Sequence, residues 1–154
     1  MSVSDSELGA QARGIVDANR YMVLGTADAD GVPWVSPVWY ATEDYRTFCW
    51  VSVPEARHSR NIAARGRIAI VIFDSTVPVG GAQAVYMTAD AEELTGDELE
   101  RGIELFSRRS EAQGLLRWTR DDVLPPAPLR IYRASVSEHS VLGPGDRRLP
   151  VTLD

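Results

Sequence analysis

Apolar, β-branched and aromatic residues form six runs along this chain, and glycine, proline or acidic residues separate them, which is the pattern of β-strands. The predicted strands cover residues 21–27, 33–41, 45–53, 67–74, 83–94 and 129–136. Asp30-Gly31 favours a hairpin after the first strand, and a polar turn at 42–44 follows the second, so the first three strands predict a meander. The continuous apolar run 67–74 predicts a central strand buried on both faces.

Helical spacing occurs in three other segments. Ser4 and Glu7 match a capping box before apolar residues at helical spacing, so residues 1–19 predict an N-terminal helix. Residues 55–65 predict a short helix ending at Gly66, and a longer helix should begin at 95–98 and end near Gly114. Between that helix and the last strand, the sequence predicts irregular structure and a proline-rich connector.

Six antiparallel strands are more than one flat sheet accommodates easily, because an open sheet leaves two unpaired edges. The sequence therefore predicts an α+β fold, mainly β, that forms a closed or half-closed barrel with short flanking helices. A length of 154 residues fits a single domain over 1–154. We expect the tail at 143–154 to be partly disordered.

Composition narrows the function classes. The chain is 44% hydrophobic and carries a net charge of −6, so a nucleic acid is not an expected partner. No apolar run approaches the about 20 residues of a membrane span, and the N-terminus lacks the basic start and apolar block of a secretory signal. We therefore expect a cytoplasmic protein that does not bind a membrane.

The usual motifs of hydrolases and nucleotide-binding enzymes are missing from the sequence. Cys49 is the only cysteine, which excludes an internal disulfide, and it reads as a small buried residue. The only histidines, His58 and His139, are far apart and have no carboxylate at ligand spacing. We expect no metal site.

Residues 55–61 concentrate basic and hydrogen-bonding side chains at a predicted strand-to-helix turn, and all sixteen basic residues of the chain are arginine. The residues concerned are Arg57, His58, Ser59, Arg60 and Asn61. A helix start favours an anion, and arginine adds charge-assisted hydrogen bonds, so the turn can hold a phosphate. A solvated helix face in an arginine-rich chain would give the same pattern.

Two further features fit a planar ligand beside this turn. Trp39 and Trp50 lie on neighbouring predicted strands, where they either fill the core or flank a ligand. Ser36-Pro37 interrupts a strand, and because proline cannot donate to a ladder, the backbone there lies at an edge or is open to another group.

Four segments together carry a pattern known from one protein family: GTADADGVPWVSPVWY at 25–40, FCWVSV at 48–53, EARHSRNIAARGRIAIVI at 55–72 and LRIYRASV at 129–136. Over residues 10–137 this pattern resembles the flavin-nucleotide-binding split barrels related to pyridoxamine 5′-phosphate oxidase. The resemblance implies a six-stranded split barrel that forms a homodimer with the cofactor at the subunit interface. It further implies that Ser36, Pro37, Val38 and Trp39 line the isoalloxazine, that Trp50, Val51 and Ser52 flank the ring and ribityl chain, and that Arg57, His58, Ser59 and Asn61 hold the phosphate.

The sequence departs from the family in two places. Many members have lysine at the position of His58, so Arg57 is expected to carry the main charge. The C-terminal residues that grip the substrate in true pyridoxamine phosphate oxidases have no clear counterpart after Ala134, which argues against vitamin B6 oxidation. Members of this family bind FMN, a deazaflavin coenzyme or haem. The small size of the predicted phosphate-binding turn at 55–61 favours FMN, with the deazaflavin coenzyme as the second choice. His139 is the only histidine outside that turn and so the only remaining candidate for a haem ligand.

These features leave two classes of function open. One is a flavin- or deazaflavin-dependent oxidoreductase that transfers hydride or electrons to or from a small organic substrate, and the other is a carrier or sensor that binds flavin without turnover. An empty barrel that has lost its ligand is a third. The loop 75–82 is suited to covering a pocket, which favours an enzyme. Tyr40, Tyr86 and Tyr132 read as core residues, so no catalytic residue is assigned.

Overall fold

The computed structural model describes residues 4–153, which form three α-helices and eight strands. The helices are α1 (Asp5–Ala18), α2 (Arg57–Ala64) and α3 (Asp97–Ala112). The strands are β1 (Tyr21–Ala27), β2 (Pro33–Trp39), β3 (Ala41–Thr42), β4 (Thr47–Ser52), β5 (Arg67–Phe73), β6 (Ala84–Glu93), β7 (Arg130–Gly143) and β8 (Arg147–Val151). Short 3-10 turns occur at Arg120–Asp122 and Pro144–Asp146. No helix within 4–153 is long and apolar enough to cross a membrane.

All strands belong to one antiparallel sheet, in the order β2-β1-β5-β6-β7-β4-β3, with β8 on β7. The sheet curls until β2 contacts β4. None of the ladders found in 4–153 joins these two strands, so they border an open seam. The fold is therefore an α+β split barrel, as the sequence predicts.

The first hairpin of the predicted meander is confirmed, whereas the second is limited to the short antiparallel pairing of Ala41–Thr42 (β3) with β4. β1 and β2 pair around Asp30-Gly31, where Gly31 has a φ of 84°. β4 pairs with β7 rather than with β2, because the chain crosses between Trp39 and Ala41 to the other side of the barrel. The strand predicted as one run at 33–41 is consequently split into β2 and β3.

Two apolar clusters hold the molecule together. The larger fills the barrel with inward side chains such as Leu24, Trp50 and Ile72, together with residues of α1 and Ile62 of α2. The smaller lies on the outside of β4 and β7, where α3 contributes Leu99, Ile103 and Phe106. Burial of these two faces fixes the side of the sheet on which each strand residue lies.

The structure differs from the sequence predictions at two further strands. The tail expected to be partly disordered forms regular structure over its described residues, since β7 extends to Gly143 and residues 147–151 form β8 along it, while Asp154 lies outside the described residues. Strand β5 is not buried on both faces, because Ile68, Ile70 and Ile72 point inward while Phe73 on the other face is 48% exposed. The outer face of β5 is apolar although it is not covered by this chain.

Candidate functional site

Helix α2 lies next to the seam and is tied to both sides of it. The Nε2 atom of His58 is 2.9 Å from Oγ of Ser52, at the end of β4. Asn61 donates from Nδ2 to Oγ1 of Thr26 on β1, at 3.0 Å. All four side chains are buried. These two hydrogen bonds fix the start of the helix relative to the strand edges on either side.

The first turn of α2 is open to an anion. Ala56 occupies the N-cap position, no side chain caps the helix, and the first turn contains no acidic residue. Arg57 is exposed at its first position. Backbone N–H groups at a helix start, a favourable dipole and an arginine are the donor set that binds phosphate groups. This part of the site fits a phosphorylated ligand.

The other predicted phosphate ligands turn their side chains inward. His58, Ser59 and Asn61 are 8%, 2% and 4% exposed, and Ser59 lies beside Tyr132 in the barrel. Burial lowers the pKa of His58, so its ring is neutral near pH 7 and serves as a hydrogen-bond partner of Ser52. Among the four predicted phosphate ligands, Arg57 alone offers a charged side chain, and His58 and Ser59 can offer backbone N–H groups.

The residues predicted to bind the flavin ring lie on both sides of the seam, on β2 and on β4. Ser36 and Pro37 lie on β2, whose outer edge has no ladder partner within residues 4–153, whereas Val38 is buried in the barrel core. Ser52 ends β4 on the opposite border. Backbone groups at such edges are free to bond a planar ligand. The structure thus brings Ser36, Pro37, Ser52 and the start of α2 to one region of the molecule.

Two of the predicted aromatic residues have structural contacts instead. Trp50 is fully buried and stacks on Tyr132, with ring centroids 5.8 Å apart. Trp39 packs edge-on against Phe106 of α3 and donates from Nε1 to Gln113, at 3.0 Å. Val51 packs against the same outer cluster as Trp39. The side chains at these three positions are therefore engaged in packing within the chain.

Sequence reasoning missed Trp34. Trp34 is 40% exposed, and the Cζ atom of Arg57 lies 4.4 Å from the centroid of its ring in a cation–π contact. Trp34 pairs with Thr26 across the β1–β2 ladder, so it lies on the side of the sheet that faces α2. The alternation of β2 from the buried Val38 could have placed it there.

The second missed feature is the outer face of the sheet. Val23, Val35, Val71 and Tyr86 contribute to a shallow concavity of about 370 Å³ across β1, β2, β5 and β6. Val35 is 67% exposed, which is unusual for a valine on a strand. Contiguous apolar exposure of this kind marks an interaction surface.

Neither histidine presents a free Nε2 atom. His139 approaches the carbonyl oxygen of Tyr45 with its Nε2 at 2.6 Å, and burial lowers its pKa. Within residues 4–153, no group of three or more His, Cys, Asp or Glu side chains is placed to hold a metal ion.

The names of solved structures with this fold mention different cofactors. A heme-binding protein from Mycobacterium smegmatis is 21% identical with a TM-score of 0.71, and the match covers 99% of this chain but only 59% of that protein. An FAD-binding protein from Mesorhizobium loti is 22% identical with a TM-score of 0.62, over 86% of this chain and 91% of that chain. An F420 reductase is 16% identical with a TM-score of 0.60, over 84% and 95%. At these identities the likeness shows a common fold.

The sequence itself defines the family. A comparison with curated proteins gave no match. The family model described as pyridoxamine 5′-phosphate oxidase matches residues 8–137, which include every strand from β1 to β6 and much of β7. The chain therefore belongs to the pyridoxamine 5′-phosphate oxidase family of split barrels.

Proposed function

We propose that this protein is an FMN-binding oxidoreductase that works as a homodimer. The observation that carries the proposal is the uncapped first turn of α2, with Arg57 exposed on it, beside the open seam between β2 and β4. A ligand with a phosphate and a flat ring fits such a site, because the helix start binds the anion and the free strand edge bonds the ring. A flavin supplies hydride or electron transfer when it is bound.

The chain's own residues bind and orient the ligand. Arg57 donates to phosphate oxygens, and the backbone N–H groups of the first turn add uncharged donors. The ties from His58 to Ser52 and from Asn61 to Thr26 hold these donors at a constant distance from the seam. Such preorganisation lowers the cost of binding, since little of the site has to be ordered by the ligand.

FMN fits this site better than the alternatives. One arginine and one helix start match a single phosphate group, whereas the longer acidic tail of a deazaflavin coenzyme would need more cations, so that coenzyme is our second choice. Haem needs an axial ligand. The Nε2 atoms of His58 and His139 are already hydrogen-bonded, which makes haem the least suited of the three.

The apolar outer sheet face supports a homodimer. Phe73 and Val35 are 48% and 67% exposed on this face in the single chain. A second copy would cover them and close the concavity of about 370 Å³ beside β2. We place this dimer in the cytoplasm.

A non-catalytic flavin carrier is the second candidate. Ser36, Pro37, Ser52 and Arg57 offer no side chain that acts as an acid or base near pH 7, although the exposed Glu55 lies two residues before Arg57. The loop between β5 and β6 is exposed throughout and can cover a pocket, which favours an enzyme. Reduction of the bound flavin, followed by its reoxidation with candidate acceptors, separates the two. Indifference to every acceptor, oxygen included, would support the carrier.

The decisive experiment is a cofactor screen by absorbance, fluorescence and mass spectrometry with FMN, FAD, a deazaflavin coenzyme and haem. We expect FMN to bind, and Arg57→Ala to weaken its binding about 10- to 100-fold through loss of a charge-assisted contact. Arg60→Ala is the matched control, because it removes another exposed arginine from the same helix. Equal affinities of the wild type and Arg57→Ala would show that the phosphate binds elsewhere.

A further inference from the structure

We infer that Trp34 is a positioning residue, which holds the Arg57 guanidinium in place to receive the ligand phosphate. The inference deepens the proposed function and rests on it. The Cζ atom of Arg57 lies 4.4 Å from the centroid of the Trp34 ring. Among the residues from 4 to 153, Arg57 has no acidic partner, so the indole is the contact that restrains it.

Trp34 is itself fixed to the helix that carries Arg57. The hydroxyl of Thr26 donates to the carbonyl oxygen of Trp34 at 3.4 Å and accepts a hydrogen bond from Asn61 of α2 at 3.0 Å. The chain of contacts from α2 through β1 to β2 therefore sets the distance between the indole and the helix start. The backbone that carries the ring is therefore fixed relative to the start of α2.

Contact with an aromatic ring suits an arginine that binds phosphate. A guanidinium that meets a ring with its face keeps its in-plane N–H groups available for a bidentate bond. An acidic partner would occupy those donors and cancel the charge. A free arginine would lose rotamer freedom on binding, and an arginine already restrained by the indole loses less.

The test compares FMN with riboflavin, which has the same ring but no phosphate. We expect Trp34→Leu to weaken FMN binding about threefold to tenfold, the range that corresponds to ordering one long side chain, and to leave riboflavin affinity unchanged. Trp34→Phe retains a ring and should recover most of the FMN affinity. In the Arg57→Ala background, Trp34→Leu should have no further effect.

The outcomes separate this role from the proposed function. Failure of the wild type to bind FMN would overturn the proposed function and this role with it. FMN binding with unchanged affinity in a folded Trp34→Leu protein would overturn the positioning role alone. Equal losses for FMN and riboflavin would also overturn it, because they would mean that the indole contacts the flavin ring directly. Thermal melting of each variant shows whether it is folded. The more conservative Trp34→Phe variant provides a second test if Trp34→Leu does not fold.

Discussion

The Nε2 atom of His58 lies 2.9 Å from Oγ of Ser52, and this contact joins the first turn of α2 to the last residue of β4. Both residues appear in the sequence as candidate ligands of a cofactor. In the fold they are buried, and they fix the helix that carries the exposed Arg57. The structure therefore makes His58 a support of the site.

The burial of His58 predicts a pH dependence of stability. Burial lowers the pKa of His58 and of His139 below the ordinary value of 6.5. As the pH falls through 6.5, the unfolded chain binds protons that the folded chain does not, so the free energy of unfolding decreases. We expect urea unfolding to show lower stability at about pH 5.5 than at about pH 7.5.

Two single variants divide this effect between the histidines. His58→Asn and His139→Asn should each reduce the change in unfolding free energy between the two pH values. A pH dependence identical to that of the wild type in both variants would contradict the buried, neutral state of the rings.

The contact between Asn61 and Thr26 predicts a loss of stability on truncation. Asn61→Ala leaves a buried hydroxyl without its donor, which costs about 1–3 kcal/mol. Thr26→Val should cost less in combination with Asn61→Ala than alone, because the two side chains share one interaction. Denaturant unfolding of the two single variants and the double variant measures this coupling, and strictly additive losses would argue against it.

The outer sheet face predicts the behaviour of the homodimer. Val71→Asp places a charge at the centre of the apolar face, so we expect monomers at concentrations where the wild type is dimeric. Leu116→Asp is the matched control, since Leu116 is 87% exposed after α3. Sedimentation velocity measures both. A dimeric Val71→Asp protein would show that the two copies meet elsewhere.

Cys49 is predicted to be unreactive. It is fully buried beneath α3, and burial raises the pKa of its thiol to about 12. We expect an aromatic disulfide reagent to react very slowly with the native protein and to titrate one thiol after unfolding in urea. Rapid modification of the folded protein would mean that the outer cluster opens readily.

The sequence predicts the identity of most elements because their periods are set by burial on one face. β1 is predicted at its observed bounds, and α2 and α3 are predicted within a few residues. The strand-to-helix turn at Arg57 is predicted for the same reason, since Arg57 follows a recognisable strand end, and its binding of phosphate stays a prediction. Elements whose formation depends on pairing with another strand are not predicted. The segment of β8 contains two arginines and Pro150, and it is a strand because it pairs with the edge of β7.

The different positions of the three strand tryptophans show that sequence-based prediction has the same limit at the candidate site. Trp34, Trp39 and Trp50 are all strand residues, and composition does not distinguish them. Their roles follow from the face on which each lies, and a shift of one residue in register would exchange those faces. Trp39 faces α3, Trp50 faces the barrel interior, and Trp34 faces the start of α2. Such placement depends on long-range pairing, which local sequence does not contain.

Strand β7 pairs with β4 through residues 130–135 and with β8 through residues 139–143, so the two shorter strands follow one another along a single border. Without β8, the second half of that border would offer unpaired N–H and C=O groups to neighbouring molecules. In the described residues β8 is itself the outer strand, and its Arg147, Arg148 and Pro150 are residues that disfavour pairing with another molecule. Deletion of the segment after Gly143 would leave residues 139–143 of β7 as an unpaired strand edge that could bond to another molecule.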